Sequence, residues 1–211
     1  MLSLISIFLS SFIIAFSGAL MPGPLLTATI SESSQRGVIA GPMLILGHSI
    51  LELVLLMALF LGLAPLLTHS LSFIIISIVG GTILLWMAIG MFRALPTLEL
   101  KFDSTGTNRG HLVKTGILMS LANPYWTIWW ATIGLGLIMQ SKEQGVAGVA
   151  SFYFGHIFAD LIWYALVSTA VGKGKRLMNN QVYRGLIGAC AVILVGFSLY
   201  FIYAAVGKIF V

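Results

Sequence analysis

Charged residues are scarce: 8% of the 211 residues are Asp, Glu, Lys or Arg, against about 25% in soluble domains. Set beside 59% hydrophobic residues, that scarcity excludes a water-soluble globule. Cysteine is nearly absent as well. The lone Cys190 lies in an apolar run, so it forms no intrachain disulfide and offers no CxxC pair for zinc, haem attachment or thiol redox chemistry. Gly-x-Ser-x-Gly, HExxH and a Ser/Lys dyad at helical spacing are all missing; an intramembrane hydrolase would have no nucleophile, and the protein is not expected to be an enzyme. Acidic residues are outnumbered, six against eleven Lys plus Arg, for a net +5. These cations cluster between apolar runs rather than on one face, which fits an inner-membrane protein and gives no case for nucleic acid. The N-terminal stretch lacks the basic n-region of a secretory signal and is too long an apolar run for one, so it is expected to stay as a membrane span.

What is abundant is apolar sequence. A helix crosses the roughly 30 Å hydrocarbon layer with about 20 residues, and six segments meet that length: Leu4 to Ile30, Val38 to Leu63, Leu71 to Phe92, Leu112 to Met139, Val146 to Val171 and Tyr183 to Phe210. Polar breaks at Ser31 to Arg36, Thr68 to Ser70, Pro96 to His111, Gln140 to Gln144 and Gly172 to Gln181 separate them. The fold class expected is therefore all-α, a polytopic membrane protein of six transmembrane helices. Alternate connections share a side of the membrane. The first, third and fifth carry Arg36, then Arg93, Lys101, Arg109 and Lys114, then Lys173, Lys175, Arg176 and Arg184; the other side has only Lys142 and Lys208. Nine cations against two place those three connections in the cytoplasm and both termini outside. The halves, residues 1–95 and 112–211 joined by a cytoplasmic connection at 96–111, then run in opposite directions as inverted three-helix repeats.

The halves also share a short motif. Gly47-His48-Ser49-Ile50-Leu51-Glu52 and Gly155-His156-Ile157-Phe158-Ala159-Asp160 both read Gly-His-x-x-x-acid, offset by 108 residues. Each copy begins about ten residues, or ~15 Å, into its span from opposite faces, so both acids fall near mid-membrane. Buried carboxylates there are costly and mark transport paths. At i and i+4 each His can share a proton with its own acid, which makes Glu52, Asp160, His48 and His156 the candidate proton-coupling residues. The plainer reading has His-paired acids holding the bundle together; two acids at matching positions favour function. No cofactor and no metal is assigned to the chain.

Proline interrupts the first and fourth spans, at Met21-Pro22-Gly23-Pro24 and Ala122-Asn123-Pro124, and should kink or split each helix. Interruptions in corresponding spans of inverted halves point to a transporter's binding site, because broken helices expose backbone groups to a ligand. Pro22, Gly23, Pro24, Asn123 and Pro124 are accordingly the candidate substrate-binding residues, at depths similar to the two acids. Trp126, Trp129 and Trp130 are expected to pack or face lipid more than to wall a cavity. Gly80, Gly81, Gly188 and Gly196 are expected to allow close helix approach, and His69 and His111 to be solvated. The central connection, with Glu99, Lys101, Asp103 and Arg109, reads as a tether of mixed charge.

The run Gly18-Ala19-Leu20-Met21-Pro22-Gly23-Pro24, the following Gly37 and Gly41, the stretch GTILLWMAIGMFR from Gly81 to Arg93, the Asn123-Pro124 pair and Asp160 together resemble the lysine-exporter (LysE/RhtB) family of amino-acid efflux transporters, over nearly the whole chain. The resemblance implies a six-helix inner-membrane exporter of amino acids or related small metabolites, driven by proton antiport, whose partners are a small-molecule substrate, protons and the lipid bilayer. A homodimer stays open as its assembly state. Two alternatives stand beside it: a divalent metal-cation exporter, because two imidazoles and two carboxylates are metal ligands, and a non-transporting membrane subunit.

Overall fold

The computed structural model describes residues 3–65, 69–98, 109–174 and 179–209, and every regular element among them is helical. Helix α1, Leu4–Ala19, starts where the Ser3 side chain accepts from the Ser6 amide. It stops at the glycine–proline run: residues 20–23 leave the helix, Gly23 is extended (φ −155°, ψ −171°), and Pro24 occupies the first position of α2, Pro24–Arg36. A proline is well placed there, since its missing N–H is one that a first turn leaves without an intrahelical partner. The first expected span is therefore two helices rather than one kinked helix.

Helix α2 also runs on through Ser31 to Arg36, where a connection was expected. Several of the polar residues are held inside the protein instead of breaking the helix. Ser34 Oγ meets the Ser31 carbonyl and the Tyr183 hydroxyl, Ser33 is buried, and Arg36 pairs with Glu32 one turn away. The chain turns at Gly37, whose φ of +73° strains any residue with a Cβ. After one 3₁₀ turn at Gly37–Ile39 comes α3, Ala40–Ala58, extended by a π-helical turn at Leu59–Leu63. Leu25 on α2 shares a buried cluster with Leu44 and Ile45 on α3, so the two fold against each other.

The remaining helices are α4, Ser70–Ala94; α5, Arg109–Leu121; α6, Pro124–Trp129; α7, Leu135–Lys142; α8, Gly145–Gly174; and α9, Asn180–Ile209. Helices α5 and α6 are separated at Ala122 and Asn123, and a π-helical turn, Trp130–Gly134, joins α6 to α7. The fourth expected span is thus broken like the first. The fifth continues through Val171 to Gly174. Glu99, Lys101, Asp103, Lys175 and Arg176 lie outside the described residues, as do the side chain of Arg109 and the link at Thr68.

Among the described residues four stretches are long and apolar enough to cross a membrane: Pro24–Leu63, which bends at Gly37, Ser70–Thr97, Gly145–Gly174 and Asn180–Ile209. At 1.5 Å per residue, a 30-residue helix reaches ~45 Å, more than the hydrocarbon layer. Packing joins α1 to α8, α3 to α5 and α4 to α9 most extensively, with α2 and α3 also against α8. The α3–α5 crossing is close because both helices present glycine: a Cβ on Gly47 would strike the Val113 carbonyl, and one on Gly116 the Leu44 carbonyl. The α1–α8 crossing repeats this, with Gly155 against the Phe8 carbonyl. Of the other glycines, Gly80 backs onto Pro124, Gly81 faces Ile202 and Gly188 faces Leu95, whereas no described atom lies near a Cβ placed on Gly196.

Candidate functional site

Close packing of Gly47 and Gly155 sets the next residue of each helix, His48 and His156, facing inward, and the acid one turn further falls on the same side. His48, Glu52, His156 and Asp160 are all buried, Glu52 completely. Their side chains meet in one cluster. Within α3, His48 Nε2 lies 3.0 Å from Glu52 Oε1; within α8, His156 Nε2 lies 3.4 Å from Asp160 Oδ2. The pairs also cross over. His48 Nε2 is 3.5 Å from Asp160 Oδ2, and His156 Nε2 is 3.2 and 3.3 Å from the two Glu52 oxygens. Sequence spacing foresaw the two i, i+4 pairs; the cross-helix contacts needed the fold. If both imidazoles are protonated and both acids ionised, the quartet is net neutral, the arrangement that makes buried charge tolerable.

The surroundings orient these groups. Ser120 gives its hydroxyl hydrogen to the Gly116 carbonyl (2.8 Å), so its oxygen accepts from His48 Nδ1 (2.7 Å); that pattern assigns Nδ1 as a donor and turns Nε2 toward the acids. Trp126 and Trp130 both donate their indole N–H to Glu52 Oε1, at 3.0 and 2.8 Å. Trp129 donates to Ser17 Oγ at 3.0 Å, and its ring stacks obliquely near His156. These tryptophans therefore wall the site, contrary to the expectation of packing or lipid contact. Their i, i+4 spacing just past the proline break was the available signal, and a buried carboxylate on another helix was what could not be seen. Ser120 and Ser17 carried no sequence signal.

A cavity of about 50 Å³ lies against the quartet, the three tryptophans, Gly23 and Asn123. That is room for a few waters and less than an amino acid needs. The two helix breaks meet here: a Cβ on Gly23 would come 3.2 Å from Asn123 Nδ2. Their ends differ, however. The Asn123 side chain caps α6 by accepting from the Tyr125 amide, whereas α2 has no side-chain cap and its Leu25 lines the cavity. Pro22, Pro24 and Pro124 do not line this cavity. Pro24 and Pro124 are buried first residues of α2 and α6, and Pro124 packs on Gly80. Their part is to break the helices so that Gly23 and Asn123 reach the site. His69 accepts from the Leu71 amide at the start of α4, and His111 lies half-exposed, 3.9 Å from Glu32.

Long apolar helices around a buried ionisable cluster, with two broken helices facing it, define a multi-pass membrane protein. A family model described as LysE type translocator matches residues 16–205, and the chain belongs to that family of translocators. It is 25% identical over 202 residues to the "Chemotactic transduction protein ChpE" of Pseudomonas aeruginosa, covering 92% of this chain and 97% of that one. It is 21% identical over 206 residues to the "Putative amino acid efflux protein YcgF" of Bacillus subtilis, covering 97% and 99%. No solved structure matches the chain.

Proposed function

We propose that this translocator exports amino acids or related small metabolites from the cytoplasm across the inner membrane by proton antiport. The observation that carries the reading is the convergence of Glu52, Asp160, His48 and His156 with both helix breaks on one buried cavity. The uncapped start of α2 presents backbone N–H groups and a positive dipole end to a substrate carboxylate near Gly23. The substrate ammonium meets Glu52 or Asp160. A proton arriving from outside neutralises the same carboxylate, so proton and substrate compete for one group, which is the requirement for exchange. The name of the Bacillus subtilis relative supports an amino-acid cargo.

The inverted-repeat arrangement belongs to this proposal, with halves 1–95 and 112–211 and both termini outside. Counting the expected spans in order, the first packs on the fifth, the second on the fourth and the third on the sixth. Exchanging the halves maps that set of pairs onto itself, as an inverted repeat requires. The small cavity supports an alternating cycle in which the halves rock apart to admit cargo.

Counterflow of labelled amino acids in proteoliposomes, with Glu52→Gln and Asp160→Asn beside the wild type, tests the reading. A charged hydrogen bond is worth about 1.5–3 kcal/mol, so each variant should lose roughly 10–100-fold in transport. Wild-type rates in both would remove the acids from the mechanism. Absence of amino-acid flux in the wild type would favour a divalent-cation exporter if metal moves instead, and a non-transporting subunit if nothing does.

A further inference from the structure

We propose that His48, Glu52, His156 and Asp160 form a binding site for a single divalent cation of the zinc class. Ligand geometry is the first reason. One atom from each residue can be chosen so that all four lie within 4.8 Å of one another. The nitrogen–oxygen separations at the core are 3.2, 3.4 and 3.5 Å. Zinc bonds of about 2.0–2.1 Å to nitrogen and oxygen, arranged tetrahedrally, set neighbouring ligand atoms about 3.3 Å apart. Three of the six edges of the tetrahedron are thus already near their bound lengths, and the widest must close by about 1.5 Å.

Carboxylate oxygens that accept no hydrogen bond are the second reason. Glu52 Oε1 already accepts from both indoles, while Glu52 Oε2 and Asp160 Oδ2 are buried without a hydrogen-bond partner among the described residues. His156 Nε2 approaches Glu52 Oε2 within 3.2 Å, but its hydrogen bond is to Oε1. Two buried carboxylate oxygens without a hydrogen bond, each within 3.5 Å of an imidazole nitrogen, are acceptors that one dication satisfies together.

The third reason is orientation. Metal-bound imidazoles normally donate their other ring N–H to a neighbouring acceptor, and His48 Nδ1 does so to Ser120. That leaves Nε2 free to offer its lone pair inward. The paired indoles hold Glu52 by one oxygen and leave the other for an ion. Two nitrogens and two oxygens with no thiolate suit zinc, cobalt or manganese, and a 50 Å³ cavity accepts an ion with a water where it would not accept a whole amino acid.

The full-length chain, purified in detergent and stripped with chelator, is titrated with Co²⁺ alone, read by the visible bands of four-coordinate cobalt, and then with Zn²⁺ as competitor. One equivalent should bind and be displaced by zinc. His156→Gln and Asp160→Asn should each weaken binding at least tenfold. Ser120→Ala keeps all four ligands and removes only the outer hydrogen bond; it should cost about tenfold and keeps the idea testable if a ligand variant fails to fold. No stoichiometric cobalt in the wild type, or unchanged binding in folded His156→Gln and Asp160→Asn, overturns the site. Because binding is read without transport, its failure leaves amino-acid export standing, and absence of amino-acid flux leaves the metal site standing.

Discussion

Ser120 and the indoles of Trp126 and Trp130 act through their hydrogen bonds to His48 and Glu52, and each makes a prediction at its own size. Ser120→Ala strands the buried His48 Nδ1, a loss of about 1–3 kcal/mol that a thermal or denaturant melt in detergent should show. Trp130→Phe removes the shorter donor to Glu52 while keeping an aromatic ring beside Phe152. Transport should fall by roughly tenfold, and the double variant with Trp126→Phe should fall by less than the product of the two singles, because both donors serve one oxygen. Counterflow rates of the three proteins check this. Full multiplicativity would mean that the two indoles act independently of one another, against their sharing of one oxygen.

Helices approach one another through Gly47, Gly116 and Gly155, and here a single methyl group is the unit of damage. Gly47→Ala and Gly155→Ala each drive a Cβ into a facing backbone carbonyl, which must separate α3 from α5 or α1 from α8. Overpacking of this kind costs about 1–3 kcal/mol. Gly136→Ala in α7 has no described atom near the new Cβ and should be neutral or stabilising by up to about 1 kcal/mol. Unfolding midpoints of the three variants test the contrast, and equal effects would refute the packing account. Asn123→Ala removes the α6 cap and should cost about 1 kcal/mol of stability; it also loosens the wall facing Gly23, so a transport defect larger than the stability loss is expected in counterflow.

Across the whole molecule, orientation is the testable quantity. Nine cations on one set of connections against two on the other predict which loops face the cytoplasm. In a Cys190→Ser background, a cysteine placed at Glu143 should react with a membrane-impermeant maleimide added outside cells, and one placed at Arg36 should react only after permeabilisation. The reverse labelling would invert the topology, and with it the direction assigned to transport.

Composition and period alone determined that the chain is helical and belongs in a membrane, that His48 pairs with Glu52 and His156 with Asp160, and that helices break at Pro22 to Pro24 and at Pro124. Those are local consequences of hydropathy, i, i+4 spacing and a missing backbone N–H, so they need no partner elsewhere in the chain. Only the tertiary structure decided that α3 and α8 bring both pairs into one cluster, that Trp126 and Trp130 converge on a single Glu52 oxygen, and that α2 runs helical to Arg36. It also placed Gly23 and Asn123 at the cavity while setting the prolines behind them. Each of these depends on which surfaces meet across roughly 70 to 150 residues of sequence, and a buried polar group finds its partner only when another helix is packed against it.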